Sequence, residues 1–298
     1  MSTCHTAEPA DPADPGIFDW HPAELITAHE SRPDSEGFAL IVLNQPLHTR
    51  LAVIRQLWDN AHVRIAADGG ANCLYEAAGQ HGDACFDDLD VIIGDLDSLS
   101  PPAQSYYESR EQQHKTKKKQ TQVIRDPDQE STDFGKAVAY IRRQTRPSQT
   151  CQTGERTSPP PPPLDIVALG GLGGRVDQGL SQLHHLYLFQ TDTRYSAGRM
   201  YLFSGESLTF LLKSGRHRIR VRDGERGGRG VFGKHVGILP VGGPSRITTR
   251  GLEWDVTDWE TQFGGRVSTS NHVLPETEVV EVQTTADVLF TIALREEV

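Results

Sequence analysis

The stretch Val91-Ile92-Ile93-Gly94-Asp95-Leu96-Asp97-Ser98 carries two carboxylates one residue apart, directly after a short apolar run that stops at a glycine. It reads as a buried strand whose end presents acids, the place where open α/β sheets hold ligands. Paired carboxylates repel one another unless a cation neutralises them. Mg2+ suits such a pair, because it takes one or two carboxylates together with substrate phosphates. The same two acids can instead cap the next helix or stand in water. Two further junctions share the form. Val63 to Ala67 runs into Asp68-Gly69-Gly70-Ala71-Asn72, and Asp165 to Leu169 runs into Gly170-Gly171-Leu172-Gly173-Gly174-Arg175-Val176-Asp177. A fourth acidic cluster, Asp128 to Asp133, opens an apparent helix. Asp68, Asp95, Asp97 and Asp133 together favour a divalent metal beside a polyphosphate.

The glycine-rich turn at 170–174 is neither G-x-G-x-x-G nor a Walker A sequence. It is a plain tight turn or a cradle in which backbone N–H groups approach phosphate at a helix N-terminus. Arg175 and Asp177, directly after it, favour the cradle. An arginine binds phosphate oxygens in a fork, and Asp177 can hold a metal, orient Arg175 or accept a proton. His184 and His185 sit among leucines on the helix that follows and read as packing or surface residues. The four tryptophans, Trp20, Trp58, Trp254 and Trp259, read first as core.

The elements that position these residues follow a β-α-β-α order up to about residue 200, a mainly parallel sheet with helices on both faces, Rossmann-like. Residues 1–36, rich in Pro, Asp, Ala and Glu, read as a disordered leader. Strands are expected at 38–43, 62–67, 90–93 and 165–169. Helices are expected at 51–61, 71–79, 101–112, 133–144 and 177–190. Polar stretches near 108–128 and 145–163, the second a Ser/Thr/Gln/Pro-rich linker ending in Pro159 to Pro163, read as decoration or as lids flanking the 133–144 helix. A third lies near 223–231. After 200 the period changes to short strands with glycine-rich turns, expected near 200–203, 207–212, 217–221, 236–240, 245–249, 265–268, 279–282 and 287–294. This predicts a smaller all-β sandwich or barrel. The expected division is a leader at 1–36, an α/β domain at 37–205 and an all-β domain at 206–298.

The chain has 298 residues and a formal net charge of −10, a balance that favours neither nucleic acid nor an anionic membrane as partner. The local run Lys115 to Lys119 reads as a solvated loop. Four cysteines without a C-x-x-C pair suit a reducing compartment, and no signal pattern or membrane-length apolar run occurs, so a cytoplasmic location is expected.

Taken in order, these motifs resemble the thiamin pyrophosphokinase family in its eukaryotic form. The matching segments are Leu43 to Leu47, Ala67 to Asn72, Ile93 to Ser98, Ser131 to Phe134 and Gly170 to Gln178. Three more follow: Leu239 to Gly242, Thr248 to Trp254 and Val267 to Asn271. The resemblance spans about 38–298. It implies a homodimer that transfers the pyrophosphoryl group of ATP to the hydroxyl of thiamin, with the site at the dimer junction. It implies Mg2+ ligands at Asp95, Asp97 and Asp133, and a further acid, Asp68, near the metal or the thiamin hydroxyl. Gly94, Thr132, Asp133, Gly173, Gly174, Arg175 and Asp177 look like the ATP side. Trp254, Ser268, Ser270 and Asn271, with Asp68, look like the thiamin side. An aromatic face at Trp254 suits a cationic thiazolium ring. Val176 stands where the family commonly has Phe, read as a packing change. The alternatives are another Mg2+-dependent transferase on a similar sheet, which releases ADP rather than AMP, and a sensor that binds without turnover.

Overall fold

The structure, a computed structural model, describes residues 16–27, 37–47, 50–81, 86–109, 111–114, 117–145, 163–222 and 230–296. The first fifteen residues, most of the proline-rich insertion, Lys115 and positions 223–229 lie outside these. The first part runs β1 (Ile17–Trp20), a 3-10 turn (Pro22–Leu25), β2 (Phe38–Val42), α1 (Leu51–Asn60), β3 (Val63–Ala67), α2 (Gly70–His81), β4 (Val91–Gly94), α3 (Pro101–Ser109), β5 (Glu111–His114), β6 (Lys117–Gln120), β7 (Gln122–Arg125), α4 (Asp133–Thr145), β8 (Asp165–Leu169), α5 (Val176–Phe189) and β9 (Met200–Phe203). The second is all strand: β10 (Ser207–Leu212), β11 (Gly215–Arg220), β12 (Phe232–Leu239), β13 (Ser245–Arg250), β14 (Trp259–Thr261), β15 (Ser268–His272), β16 (Val279–Thr284) and β17 (Val288–Leu294).

Strands β9, β8, β2, β3, β4 and β7 lie side by side in that order, all parallel. Every residue of β2 is buried, as a parallel strand covered on both faces requires. Leu40 and Val42 face one apolar cluster with Leu57 and Trp58 of α1, Leu74 of α2 and Tyr107 of α3. Ala39 and Ile41 face the other, with Phe134, Val138 and Ile141 of α4 and Leu186 of α5. The chain steps from β2 through β3 and β4 to β7, then returns to the far side of β2 for β8. Right-handed crossovers place helices on opposite faces when the direction of travel reverses. The reversal leaves a crevice beyond the carboxyl ends of β2 and β8, where ligands of open α/β sheets sit.

Three expectations need correction. The leader is not wholly disordered: Ile17–Trp20 pairs parallel with Arg216–Ile219 of β11. Trp20 is fully buried, donates from Nε1 to His217 Nδ1 (3.1 Å), and has the Arg199 guanidinium 4.4 Å from its ring centroid. Burying an indole of that size stabilises by roughly 2–3 kcal/mol, enough to hold a short strand that composition hides. The second part does not begin a separate sheet. β10 pairs with β9, and β17, β12 and β15 extend the same sheet antiparallel. The second sheet, in the order β1, β11, β16, β13 and β14, packs its Ile219, Ile247 and Val282 into the first cluster. The sandwich thus borrows one layer from the α/β sheet. Lastly, the insertion near 108–128 is not decoration, since β7 forms the edge of the parallel sheet beside β4. Among the strands, β5, β6 and β14 have no counterpart in the expected list, so the expected 101–112 helix ends early and Lys117–Gln120 is strand rather than loop, and β15 begins where the expected 265–268 strand ends.

Candidate active site

Gly94 ends β4 in a crowded place. A Cβ there would stand 2.7 Å from Asp68 Cβ and 3.0 Å from Asp133 Oδ1, so only glycine lets the three chain segments meet. Asp68 follows β3 with φ 43°, and Leu96 follows β4 with φ 66°, both left-handed. The Leu96 turn brings Asp95 and Asp97 round together, and the Asp97 N–H donates to Asp95 Oδ1 (3.1 Å). One carboxylate oxygen each from Asp68, Asp95 and Asp97 lies within 4.8 Å of the others. The closest acid group is therefore these three. Asp133 stands beside them at Gly94, and Lys136 Nζ donates to its Oδ1 (3.2 Å).

The acids differ electrostatically. Asp68 is buried; its Oδ2 accepts from the Ser98 N–H (3.1 Å), and its Oδ1 has no partner among the described residues. Burial pushes the Asp68 carboxyl above the ordinary range, with Asp133, Asp95 and Asp97 adding to the rise and Ser98 opposing it. Asp95 is held below that range, first by the Asp97 N–H and further by Gln129 and Lys136. Gln129 Nε2 donates to Asp95 Oδ2 at 3.4 Å, a contact made from the segment after β7. Lys136, itself buried, supplies the nearby positive charge. An all-oxygen donor set with one buried carboxylate oxygen unpartnered fits a hard divalent cation.

The glycine-rich turn flanks the crevice. Gly170 (φ 81°) and Gly174 (φ 68°) are left-handed, and Gln45 Nε2, from the loop after β2, donates to the Gly173 carbonyl. Leu172 to Val176 with Gly179 and Leu180 line an open cavity of ≈ 300 Å³. Arg175 forks onto Asp177 (Nε to Oδ1 3.1 Å, Nη2 to Oδ2 2.6 Å), and both are exposed. Arg175 holds the Asp177 carboxyl below its usual range. Val176 is 77 % exposed, so its difference from Phe is not a change in the core of this chain. Thr132 caps α4 by accepting from the Gly135 N–H (3.1 Å). His185 is a packing residue, as expected, and it does more: it is buried and its Nε2 lies 2.8 Å from Thr132 Oγ1. Only the neighbouring leucines hinted at its burial, and nothing in the sequence linked it to Thr132.

Trp254, Ser268 and Asn271 line a second cavity, of ≈ 190 Å³, with Ile247, Thr249 and Trp259. Ser270 is outside its lining and carries φ 55°. Asn271 is spent locally. Its Oδ1 accepts from the Trp254 N–H (3.2 Å) and the His272 N–H (2.8 Å), and its Nδ2 donates to the Trp254 carbonyl (3.0 Å). The Trp254 ring is left 55 % exposed. Trp20 and Trp58, by contrast, are core, as expected. Within one chain this segment does not meet the acids. Between β15 and β3 lie β12, β17, β10, β9, β8 and β2, a span on the order of 30 Å at strand spacing.

The arrangement defines a class first: an α/β part joined to a β-rich part, with acids and a glycine-rich turn gathered beyond the strand ends. Comparison with known proteins narrows it. Residues 54–196 match the family model for the thiamin pyrophosphokinase catalytic domain, and residues 216–289 match that for its vitamin B1 binding domain. Thiamine pyrophosphokinase 3 of Oryza sativa subsp. japonica is 36 % identical over 269 residues, covering 87 % of this chain and 88 % of the relative. Thiamine pyrophosphokinase 1 of Arabidopsis thaliana is 33 % identical over 285 residues, covering 92 % and 93 %. The solved yeast thiamin pyrophosphokinase superposes with a TM-score of 0.73 at 25 % identity, covering 94 % of this chain and 91 % of that one. The chain belongs to the thiamin pyrophosphokinase family.

Proposed function

We propose that this protein is a thiamin diphosphokinase that moves the pyrophosphoryl group of ATP to the primary hydroxyl of thiamin, giving thiamin diphosphate and AMP. The observation that carries the reading is the convergence of Asp68, Asp95 and Asp97 at the ends of β3 and β4, in a chain of this family. Asp68, Asp95 and Asp97 would hold Mg2+, with Asp133 beside them. The ion would neutralise the triphosphate and stabilise charge that builds on the migrating group.

The chain's own groups do the rest. Transfer at phosphorus needs in-line positioning and charge stabilisation more than covalent help. The crevice between β2 and β8 takes the triphosphate, beside the N–H groups of the 170–174 turn and the exposed Arg175. Asp177 holds the Arg175 guanidinium in one orientation. Gln45 pins the turn from the other side of the crevice. The hydroxyl proton of thiamin passes to a carboxylate of the acid group. Thr132 contacts the nucleotide.

The thiamin side requires a second copy of the chain. Trp254 and the cavity beside it lie far along the sheet from the acid group of their own chain, and exposed apolar residues occur beside both sites, with others at Ile17, Leu188 and Phe263. Val176 and Leu180 lie on α5 beside the glycine-rich turn, and Trp254 and Val267 lie at the β-part cavity. A two-fold dimer that covers both brings the thiamin wall of one chain to the phosphate turn of the other. We place the functional division near 205/206 and the enzyme in the cytoplasm. No helix among the described residues is long and apolar enough to cross a membrane.

Product analysis with ATP, Mg2+ and thiamin tests the reaction. Thiamin diphosphate and AMP in equal amounts are expected. ADP would redirect the reading to an ordinary kinase, and binding without product to a sensor. Equilibrium sedimentation tests the dimer, whose dissociation is expected to abolish turnover.

A further inference from the structure

Thr132 and His185 meet across 53 residues of sequence, at the face where α4 and α5 lie together. His185 is packed between Phe134 and Phe189, with ring centroids 5.1 and 5.3 Å away. Its Nδ1 stands 2.6 Å from the Ser181 carbonyl oxygen. A carbonyl oxygen only accepts, so Nδ1 carries the ring proton. Burial moves the imidazole below its ordinary pKa, against the pull of that carbonyl, and keeps the ring neutral. Nε2 is then an acceptor, and the Thr132 hydroxyl donates to it over 2.8 Å. The Gly135 N–H takes one lone pair of the same oxygen (3.1 Å).

A threonine hydroxyl has one proton and two lone pairs. Here the proton and one lone pair are committed, and the oxygen is at an exposed residue. We propose that His185 is a positioning residue that turns Thr132 into an acceptor only. Thr132 then receives an N–H or O–H donor from the nucleoside of ATP, a ribose hydroxyl or the adenine amino group, and not a phosphate oxygen. Phosphate oxygens are acceptors at neutral pH and meet the remaining lone pair with repulsion. The proposal rests on the reading of Thr132 as a nucleotide contact.

The test uses the full chain. Calorimetric ATP binding, read separately from turnover, keeps failure of this idea distinct from failure of the assigned reaction. His185→Phe, which keeps the bulk and removes the acceptor, is expected to weaken ATP binding and raise its KM on the order of 3- to 10-fold, with kcat near wild type. His185→Gln, whose amide oxygen can take the same proton, is expected to restore wild-type behaviour, as is Thr132→Ser at the partner position. In a Thr132→Val background His185→Phe is expected to add nothing. Among 2′-deoxy-ATP, 3′-deoxy-ATP and purine riboside triphosphate, which lacks the amino group, the one missing the relevant donor is expected to bind Thr132→Val and wild type alike. An undiminished His185→Phe penalty in the Thr132→Val background overturns the proposal. So does unchanged ATP binding by folded His185→Phe, or weaker binding of inorganic tripolyphosphate by Thr132→Val.

Discussion

The acid group and the Trp254 cavity make a useful contrast. The first is assembled within one chain: two strand ends and a helix start converge on Gly94, and the segment after β7 contributes through Gln129. The second is built from one neighbourhood of the β part, and its buried polar group, Asn271, is used up in holding the Trp254 backbone. Its Trp254 ring packs against His272, 5.0 Å between ring centroids, and still leaves the residue 55 % exposed. The acid group is preorganised chemistry whose four carboxylates have one nearby cation among the described residues, Lys136, whereas the cavity is a wall without an opposite side. Substitutions in the first region should therefore change the reaction, and those in the second should change either the fold or thiamin recognition.

The largest effect is expected at Asp97. It is exposed and accepts only from the Ser98 hydroxyl among the described residues (3.0 Å). Asp97→Ala should lower kcat on the order of 10²- to 10³-fold, with stability within about 0.5 kcal/mol of wild type by thermal unfolding. A wild-type rate would remove Asp97 from the metal assignment. Asn271→Ala should do the reverse. It leaves two N–H groups and a carbonyl of the Trp254 region without their partner, a loss of about 2 kcal/mol. The Tm should fall by roughly 4–8 °C, and the KM for thiamin should rise while that for ATP stays.

Trp254→Ala should be milder. The exposed ring supports little of the fold, so the Tm should hold. Loss of a cation–π wall of about 1 kcal/mol should raise the thiamin KM on the order of fivefold. An unchanged thiamin KM would take Trp254 out of the wall. The smallest effect concerns pH. The Asp68 carboxyl is shifted up in the folded state, so the fold holds that proton to higher pH than the unfolded chain does. The stability from this group is complete below the ordinary value of 3.8 and is lost as pH rises through the folded value. Metal-free Asp68→Asn should therefore melt a few degrees above wild type at pH 7, by roughly 2–4 °C per kcal/mol. The gain should vanish as pH falls toward 3.8. Mg2+ should raise the Tm of wild type more than that of Asp68→Asn, because only wild type has the charged oxygen to offer it.

The acids were legible because each follows an apolar run that ends in glycine or turns into one, a local pattern that survives in sequence. The helix at 133–145 was legible for the same reason, with Phe134, Val138 and Ile141 at helical spacing above a Thr132 cap. β1 was not. Four residues of strand in a proline- and acid-rich stretch leave no periodicity to read, and Trp20 is fixed there by His217, 197 residues away. β7 was hidden in the same way by the polar residues around it.

What the sequence determined by itself is the order of the main helices and strands from β2 onward, the change from α/β to β near residue 200, and the residue types placed at each strand end. These depend on neighbours within a few positions, where backbone sterics and hydrophobic period act. Only the tertiary structure decided that Asp68 joins Asp95 and Asp97, with Asp133 beside them and paired to Lys136. It also decided that one sheet runs through both parts of the chain, and that His185 fixes the proton of Thr132. Those facts rest on which strands pair and which helix faces meet. Such pairings are chosen by the burial of whole surfaces, and no short stretch of sequence carries them.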